Sequence, residues 1–163
     1  MDVASSSMLF AKRESVEQVE LGGDFAPRFD AGGLISAIVV NVENEQVLML
    51  GYMSAEAVKL TVQTRQAHFW SRSRQALWRK GEHSGFTQIV ERILVDDDQD
   101  ALILKVRLDG PGSCHVGFVS CFYREIDLTS GRKHGPVRMI RIESERAFDA
   151  DAVYAGLPNP TSL

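Results

Sequence analysis

The sequence predicts a single α+β domain that is rich in β-strand and has one or two helices. Several runs of aliphatic and β-branched residues are separated by short polar turns, a pattern typical of a sheet. One segment begins with a good helix N-cap. The chain of 163 residues, of which 44% are hydrophobic and 25% charged, suits one domain with its own core, and it has no internal repeat.

The elements are predicted in order along the chain. Leu34–Asn41 is rich in Ile and Val and is predicted to be a buried strand, and Val47–Tyr52 returns from it after a polar turn. Ser54 caps a helix that runs to about Thr64. The stretch 72–85 is polar and basic, and we expect a loop that carries function. The other predicted strands are His68–Ser71, Thr87–Val95, Ala101–Leu108 and Val119–Ile126.

Alternation in two of these strands places sets of apolar side chains on one face. In the first strand the set is Ile89, Ile93 and Val95. In the second strand it is every other residue from Leu102 to Leu108. Each strand is therefore expected to cover the core with one face.

The chain is expected to have three parts: a polar N-terminal lead-in (1–30), a folded domain (31–128) and a C-terminal extension (129–163). Its apolar runs are too short to cross a membrane, and its start lacks the basic and apolar regions of a secretory signal. We therefore expect a cytoplasmic protein without a membrane partner. The net charge of −4 gives no general attraction to nucleic acid, so no nucleic-acid partner is expected.

An acidic turn lies between two predicted strands. Its alternating carboxylates, Asp96, Asp98 and Asp100, can converge on one hard cation if the backbone is extended and curved, and oxygen ligands suit Mg²⁺ or Ca²⁺. The alternative is a solvated acidic turn, which is common. Mutual repulsion of three close carboxylates favours a bound cation.

Two cysteines follow, at Cys114 and Cys121, with His115 beside the first. Their spacing is wider than the Cys-x-x-Cys of a structural zinc site, so two simple buried thiols remain an alternative to metal ligands. A catalytic zinc needs only three protein ligands, which keeps metal binding open. A disulfide is not expected in a cytosolic protein.

A basic segment rich in hydroxyl groups and glycine lies between the predicted helix and the acidic turn. Arg, Lys and Ser side chains can bind phosphate, glycines let backbone N–H groups approach it, and a Trp can stack on a base. Such a local cluster in an acidic protein fits a small phosphorylated ligand, although a solvated basic face with Trp in the core is the alternative. The candidate ligand-binding residues are Ser71, Arg72, Arg74, Trp78, Lys80 and Ser84.

Taken in order, these segments resemble the phosphoribosyl-AMP cyclohydrolase family, from about Leu34 to Arg124. The spacing of the blocks makes the resemblance specific. The blocks are Ser71-Arg72-Ser73-Arg74, Leu77-Trp78-Arg79-Lys80-Gly81-Glu82, Ser84-Gly85, the acidic turn, and Cys114-His115 to Cys121-Phe122-Tyr123-Arg124.

The resemblance implies an intertwined homodimer with active sites at the subunit interface. It also implies Zn²⁺ bound by three cysteines and Mg²⁺ bound by the alternating aspartates. Carried over to this chain, Asp96, Asp98 and Asp100 hold Mg²⁺, while Cys114 and Cys121 hold Zn²⁺. The implied reaction is hydrolysis of the N1–C6 bond of the adenine ring of 1-(5-phosphoribosyl)-AMP, a small phosphorylated nucleotide, in histidine biosynthesis. We expect His115 to be the catalytic residue that moves protons.

The chain departs from the family at Asp97, where the family has its third zinc cysteine. A carboxylate keeps the charge of a thiolate but is a harder ligand, and zinc accepts it. Asp97 is therefore expected to complete a Cys₂Asp site, within one chain or across the dimer interface, with His83 as the rival ligand.

Three further positions differ from the family's usual polar residues, namely His83, Phe86 and Phe118. They leave two alternatives open. One is a divergent paralogue that hydrolyses another cyclic amidine or a purine-like substrate. The other is a non-catalytic relative that binds a nucleotide or a metal.

Overall fold

The computed structural model describes residues 10–130 and 135–161. The described elements, in chain order, are α1 (Val16–Leu21), β1 (Leu34–Asn41), β2 (Val47–Ser54), α2 (Ala55–Thr64), β3 (His68–Ser71), β4 (Ala76–Arg79), β5 (Thr87–Val95), β6 (Ala101–Asp109), β7 (Arg124–Ile126), β8 (Met139–Arg141) and α3 (Ala150–Val153).

A four-stranded sheet in the order β2-β1-β6-β5 forms the centre of the molecule. β1 runs parallel to β6, and the two outer pairs are antiparallel. Since parallel neighbours need a long crossover, the chain between β1 and β6 carries the helix α2 and the β3–β4 hairpin. The expected β-rich single domain is confirmed, but the described part of the chain has three short helices rather than the expected one or two.

Helix α2 forms where its cap predicts. The Ser54 hydroxyl accepts a hydrogen bond from the backbone N–H of Ala57, which satisfies one of the first free donors of the helix. The helix ends at Arg65, which takes a left-handed conformation with φ of 60°. Val58 and Thr61 are buried and attach the helix to the body of the protein.

The core lies where β1, β2, α2, β3 and β6 meet. Its largest side chain with almost no exposure is Phe69 of β3, which packs 5.2 Å from the Trp78 ring of β4. Phe10, Phe25 and Phe29, from the segment expected to be a polar lead-in, also pack against this core. The N-terminal segment is thus part of the folded structure from Phe10 onward.

Two expectations about strands need correction. The predicted loop 72–85 contains the strand β4, because Ala76–Arg79 pairs with His68–Ser71. The predicted strand Val119–Ile126 is shorter, since only Arg124–Ile126 pairs with another strand. The N–H groups of Val119 and Ser120 instead donate to the side chain of Glu143, so they are not available to a ladder.

The inward face of β5 is also different from the expected one. A bulge between Val90 and Arg92 shifts the register against β6. Gln88 and Val90 are buried before the bulge, and Ile93 packs against the core after it. Ile89 is therefore only partly buried, and Val95 is exposed. The alternation in β6 is confirmed: Leu102, Leu104 and Val106 are buried, and Leu108 packs against the core.

No helix in the described ranges is long and apolar enough to span a membrane.

Candidate active site

Cys114 and Cys121 are brought together by a tight loop after β6. The loop closes through hydrogen bonds from Cys114 N to Phe118 O (3.1 Å) and from Gly117 N to Cys114 O (3.0 Å). Gly117 has φ of +103°, which favours glycine. Cys121 N donates to Leu48 O at 2.7 Å, which fixes the second cysteine against β2. The Cys121 thiol lies within hydrogen-bond reach of the Cys114 sulfur, so the loop presents two sulfur donors side by side.

The surroundings of the pair favour one thiolate. The hydrogen bond from Cys121, with smaller contributions from the N–H groups of Val116 and Phe118 and from the Lys80 ammonium, outweighs burial and lowers the pKa of Cys114 to about 6. The same hydrogen bond raises the pKa of Cys121, and burial adds to the effect. At neutral pH the pair therefore holds one negative charge, which suits a cation.

Lys80 lies beside this pair rather than with the other basic residues. Its Nζ donates to the backbone oxygen of Ser113 at 2.5 Å. Burial lowers the pKa of Lys80, while the two cysteines raise it. Burial and the positive charge of Lys80 both lower the pKa of His115, so that imidazole is neutral at pH 7 and can accept a proton. Its Nε2 lies 3.5 Å from Thr161 Oγ1.

Gln88 is hydrogen-bonded to Ser113, the residue before Cys114, and so supports the start of the cysteine loop. Its fully buried side chain donates from Nε2 to Ser113 Oγ at 2.8 Å and makes a longer contact with Met49 Sδ at 3.6 Å. Sequence reasoning missed this residue, because the bulge in β5 hides that position 88 faces inward. A glutamine in a strand otherwise rich in apolar residues was the available signal.

Three of the predicted ligand-binding residues cluster at the β3–β4 turn. Ser71 Oγ accepts hydrogen bonds from Arg74 N at 3.2 Å and from Arg74 Nε at 3.3 Å. Arg72 stacks on the ring of Tyr52 at 3.9 Å. Trp78 is partly buried in the core against Phe69, as the alternative interpretation of this tryptophan had it.

The turn after β4 carries the remaining candidates. Ser84 Oγ accepts from Phe86 N at 3.1 Å and so stabilises the turn. His83 Nε2 lies 3.5 Å from Glu82 Oε1 on the surface. Both residues are thus engaged locally, near the basic surface formed by Arg72 and Arg74.

The acidic turn is compact. One oxygen of Asp96 accepts from the backbone N–H groups of Asp100 (2.9 Å) and Ala101 (3.0 Å). Ligand oxygens of Asp96, Asp97 and Asp98 lie within 4.8 Å of one another. The structure therefore gathers three consecutive aspartates, whereas the sequence predicted an alternating set that includes Asp100.

Asp100 forms an ion pair with Arg28. The Arg28 guanidinium pairs with Asp98 at 3.0 Å and hydrogen-bonds to Asp100. This contact lowers the pKa of Asp100. Arg28 was missed in the sequence because it lies 70 or more positions from its partners.

Gln99 ties the same turn to the N-terminal segment. It has φ of 59° and is buried at the tip of the turn. Its side chain accepts from Ala26 N at 2.7 Å and donates to Val19 O at 2.8 Å. The N-terminal segment thus fixes the shape of the acidic turn.

The acidic turn and the cysteine loop lie at opposite ends of β5. Ser113, next to Cys114, is held by Gln88 near the start of the strand, whereas Asp97 follows its end. The seven residue steps from Gln88 to Val95 alone separate the two places by more than about 20 Å, at about 3.3 Å per residue. Metal ligands lie within about 2.3 Å of a zinc ion, so one chain cannot place Asp97 and Cys114 on the same ion.

The positions of the potential metal ligands agree with a separation between Asp97 and the cysteines. Within residues 10–130 and 135–161, Asp96, Asp97 and Asp98 form the one group of three potential ligands with mutually close donor atoms. Neither Asp97 nor its rival His83 joins the two cysteines in a single chain. Among the described residues, no third potential ligand therefore lies close to both cysteines.

Comparison with known proteins identifies the family. The family model described as phosphoribosyl-AMP cyclohydrolase matches residues 49–123. A phosphoribosyl-AMP cyclohydrolase of Rhizobium leguminosarum bv. trifolii is 46% identical over 151 residues, which cover 91% of this chain and 98% of the relative. One from Caulobacter vibrioides is 50% identical over 123 residues, covering 75% of this chain and 88% of the relative.

The chain belongs to the phosphoribosyl-AMP cyclohydrolase family. The resemblance noted in the sequence is thereby confirmed. The family model spans the basic segment, the acidic turn and both cysteines. Two side chains that contact these places, Arg28 and Glu143, lie outside it.

Proposed function

We propose that this chain hydrolyses the N1–C6 bond of the adenine ring of 1-(5-phosphoribosyl)-AMP, a step of histidine biosynthesis. The relatives that are named for this activity align with this chain over most of their length. The observation that carries the proposal is the pair Cys114 and Cys121, set beside Lys80 and the neutral His115 in a member of this family. A cytoplasmic location stays a prediction.

The two cysteines fit zinc, because they supply adjacent soft donors of which one is ionised near neutral pH. Asp97 of a second copy is the proposed third ligand, since the same chain cannot deliver it. Zinc, when bound, supplies Lewis acidity that makes a water molecule nucleophilic near neutral pH.

The homodimer is supported by charge. The cysteine loop lies beside Lys80, with Arg72 and Arg74 on the neighbouring hairpin, and the acidic turn at the other end of the sheet offers Asp96–Asp98. A two-fold axis that sets the acidic turn of one copy against the basic end of the other pairs opposite charges twice. Two identical sites follow from such an arrangement.

The exposed hairpin β7–β8 also supports a second copy. All residues of both strands are exposed, and neighbouring apolar side chains continue the patch. Exposed apolar patches of this kind mark interaction surfaces. The apolar members are Ile126, Leu128, Val137, Met139, Ile140 and Ile142. An obligate interface would bury on the order of 2,000 Å² or more, and light scattering at micromolar protein should show a dimer rather than a monomer.

The chain's own residues carry the proton transfers. The oxygen of water adds to C6 and the N1–C6 bond breaks, so that C6 becomes a carboxamide still bonded to C5, and N1 departs from C6 with a proton. His115 is neutral and can accept the proton of the water and return it to N1. Arg72, Arg74 and Ser71 at the hairpin are proposed to hold phosphate, and Lys80 to keep a cysteine ionised.

Magnesium is proposed to bind at the acidic turn. The close oxygens of Asp96 and Asp98 fit a hard cation, while Asp97 between them is the residue proposed for the zinc of a second copy. Binding through Asp96, Asp98 and Asp100 requires Arg28 to release two of these carboxylates. Arg28 and a bound Mg²⁺ would thus compete for the same carboxylates.

The test is complementation of a histidine auxotroph that lacks this step, followed by an assay of ring opening with purified zinc-loaded protein. We expect the unmodified protein to support growth and to open the ring. Cys114→Ala should lose both at equal protein levels. A protein that binds zinc but neither supports growth nor opens this ring would instead be the divergent paralogue or the non-catalytic relative. Failure to bind zinc or nucleotide at all would reject the catalytic proposal.

A further inference from the structure

Glu143 reaches back from the segment after β8 to the loop that carries Cys121. One carboxylate oxygen accepts a hydrogen bond from Ser120 N at 3.0 Å, and the other accepts from Val119 N at 3.0 Å. The side chain of Gln46 approaches the first oxygen at 3.3 Å. The carboxylate is partly buried between these groups.

The loop around Cys121 depends on such contacts because no sheet ladder holds it. Cys121 N donates to Leu48 O at 2.7 Å, and Phe122 N donates to Ser120 Oγ at 2.8 Å. Ser120 Oγ in turn donates to Val47 O at 2.7 Å. The N–H groups of four successive residues, 119–122, are thus all bonded, and Glu143 receives two of them.

We propose that Glu143 is a positioning residue for zinc, which fixes the backbone before Cys121 so that the thiol meets the metal without reordering. The inference rests on the proposed zinc site. A ligand that is held in place in advance loses less conformational entropy on binding, and partners of metal ligands typically change metal affinity 10–100-fold when removed.

The carboxylate can be removed without releasing the segment that carries it. Ile142 N and Glu143 N both donate to the backbone oxygen of Tyr123, at 2.9 and 3.3 Å. These bonds, and the β7–β8 pairing next to them, do not involve the Glu143 side chain. Replacing the side chain therefore frees the N–H groups of Val119 and Ser120 while the two strands of the hairpin stay paired.

The experiment measures zinc affinity of the full-length protein by competition with a chromophoric chelator. Glu143→Ala should weaken zinc binding on the order of tenfold. Glu143→Gln should recover part of the loss, because its amide oxygen still accepts from one N–H. Glu145→Ala removes an exposed carboxylate two residues away and should leave zinc affinity unchanged. Magnesium affinity, set at the acidic turn, should be unchanged in all three variants.

The outcomes separate this inference from the proposed function. Cys121→Ser should lose zinc, and if it binds zinc like the unmodified protein, the zinc site itself is wrong. If Cys121→Ser loses zinc but a folded Glu143→Ala binds it with full affinity, the positioning role is wrong. Should Glu143→Ala fail to fold, Glu143→Asp decides, since it keeps the charge but is too short to reach both N–H groups. Full zinc affinity in that variant would overturn the inference.

Discussion

At one end of β5 lies the acidic turn, where Arg28 pairs with two of the carboxylates. Gln99, at the tip of this turn, is hydrogen-bonded to the N-terminal segment. At the other end lies the cysteine loop, which has Lys80 nearby but no third metal ligand among the described residues. At the first place, Arg28 pairs with two of the four carboxylates within one chain, Asp98 and Asp100. The second holds two sulfur donors side by side, and the proposed zinc site needs one more ligand there.

This contrast explains how one chain can contain every proposed ligand without forming the site. The strand between the two places keeps them more than about 20 Å apart, so the distance is fixed by the sheet rather than by a flexible loop. The donor that the cysteine loop lacks is of the kind that the acidic turn offers. In the proposed homodimer, the cysteine end of one copy meets the acidic end of the other without a change of fold.

The largest expected effect is at the cysteine end. Cys114→Ala leaves one thiol, which does not hold a catalytic zinc. Ring-opening activity should fall by about 10³-fold or more, because the metal contributes several kcal/mol to the reaction. Zinc content by atomic absorption and activity on the same preparation check this. An active, zinc-free variant would contradict it.

A mixture of two inactive variants tests whether the ends of β5 meet between copies. In a heterodimer of Asp97→Ala and Cys114→Ala, one site carries both defects and the other carries neither. Random pairing makes half of the dimers mixed, so co-expression should restore about a quarter of the activity. Each variant expressed alone serves as control. No recovery in verified heterodimers would show that Asp97 and Cys114 do not share a site.

Asp97→Cys tests the same proposed site by strengthening zinc binding rather than removing it. A third thiolate is a softer ligand than a carboxylate, and zinc affinity should rise on the order of tenfold. Asp97→Ala should lose the metal. The rival variant His83→Ala is measured in parallel by chelator competition, and if it loses zinc while Asp97→Ala keeps it, the ligand assignment is wrong.

Local signals in the sequence were sufficient for much of the fold. Ser54 and the residues after it contain the whole signal for α2, and the alternation in β6 needs only its own residues. The shortened strand before β7 could not be foreseen, since Glu143 takes the N–H groups of Val119 and Ser120 from 23–24 positions away. Loops held by distant side chains have no local signature.

The site shows the same limit. The Cys114–Cys121 pair could be proposed from the family resemblance, and the structure brings the two thiols together. The position of Lys80 beside them, rather than with Arg72 and Arg74, follows from tertiary packing. Gln88 was hidden by a bulge that reverses which residues of β5 face inward. Register and long-range pairing are what the sequence alone did not contain.

The smallest expected effect concerns the cation at the acidic end. Arg28→Ala removes the guanidinium that pairs with Asp98 and Asp100, so Mg²⁺ meets free carboxylates and should bind a few-fold more tightly. The gain should shrink at high salt, because the pair is exposed and screened. Arg107→Ala, which breaks an exposed pair with Glu91 away from the acidic turn, is the matched control.

Asp98→Asn should act in the opposite direction to Arg28→Ala and raise the Mg²⁺ concentration needed for activity, because it removes a charged ligand while the fold stays intact. Titrating Mg²⁺ against activity in both variants gives two shifts of opposite sign if Arg28 and the metal compete for the same oxygens. If Arg28→Ala also weakens Mg²⁺ binding, then Arg28 holds the turn in shape and does not compete. If neither variant moves the Mg²⁺ dependence, Asp96, Asp98 and Asp100 form a solvated turn in which Arg28 pairs with the last two.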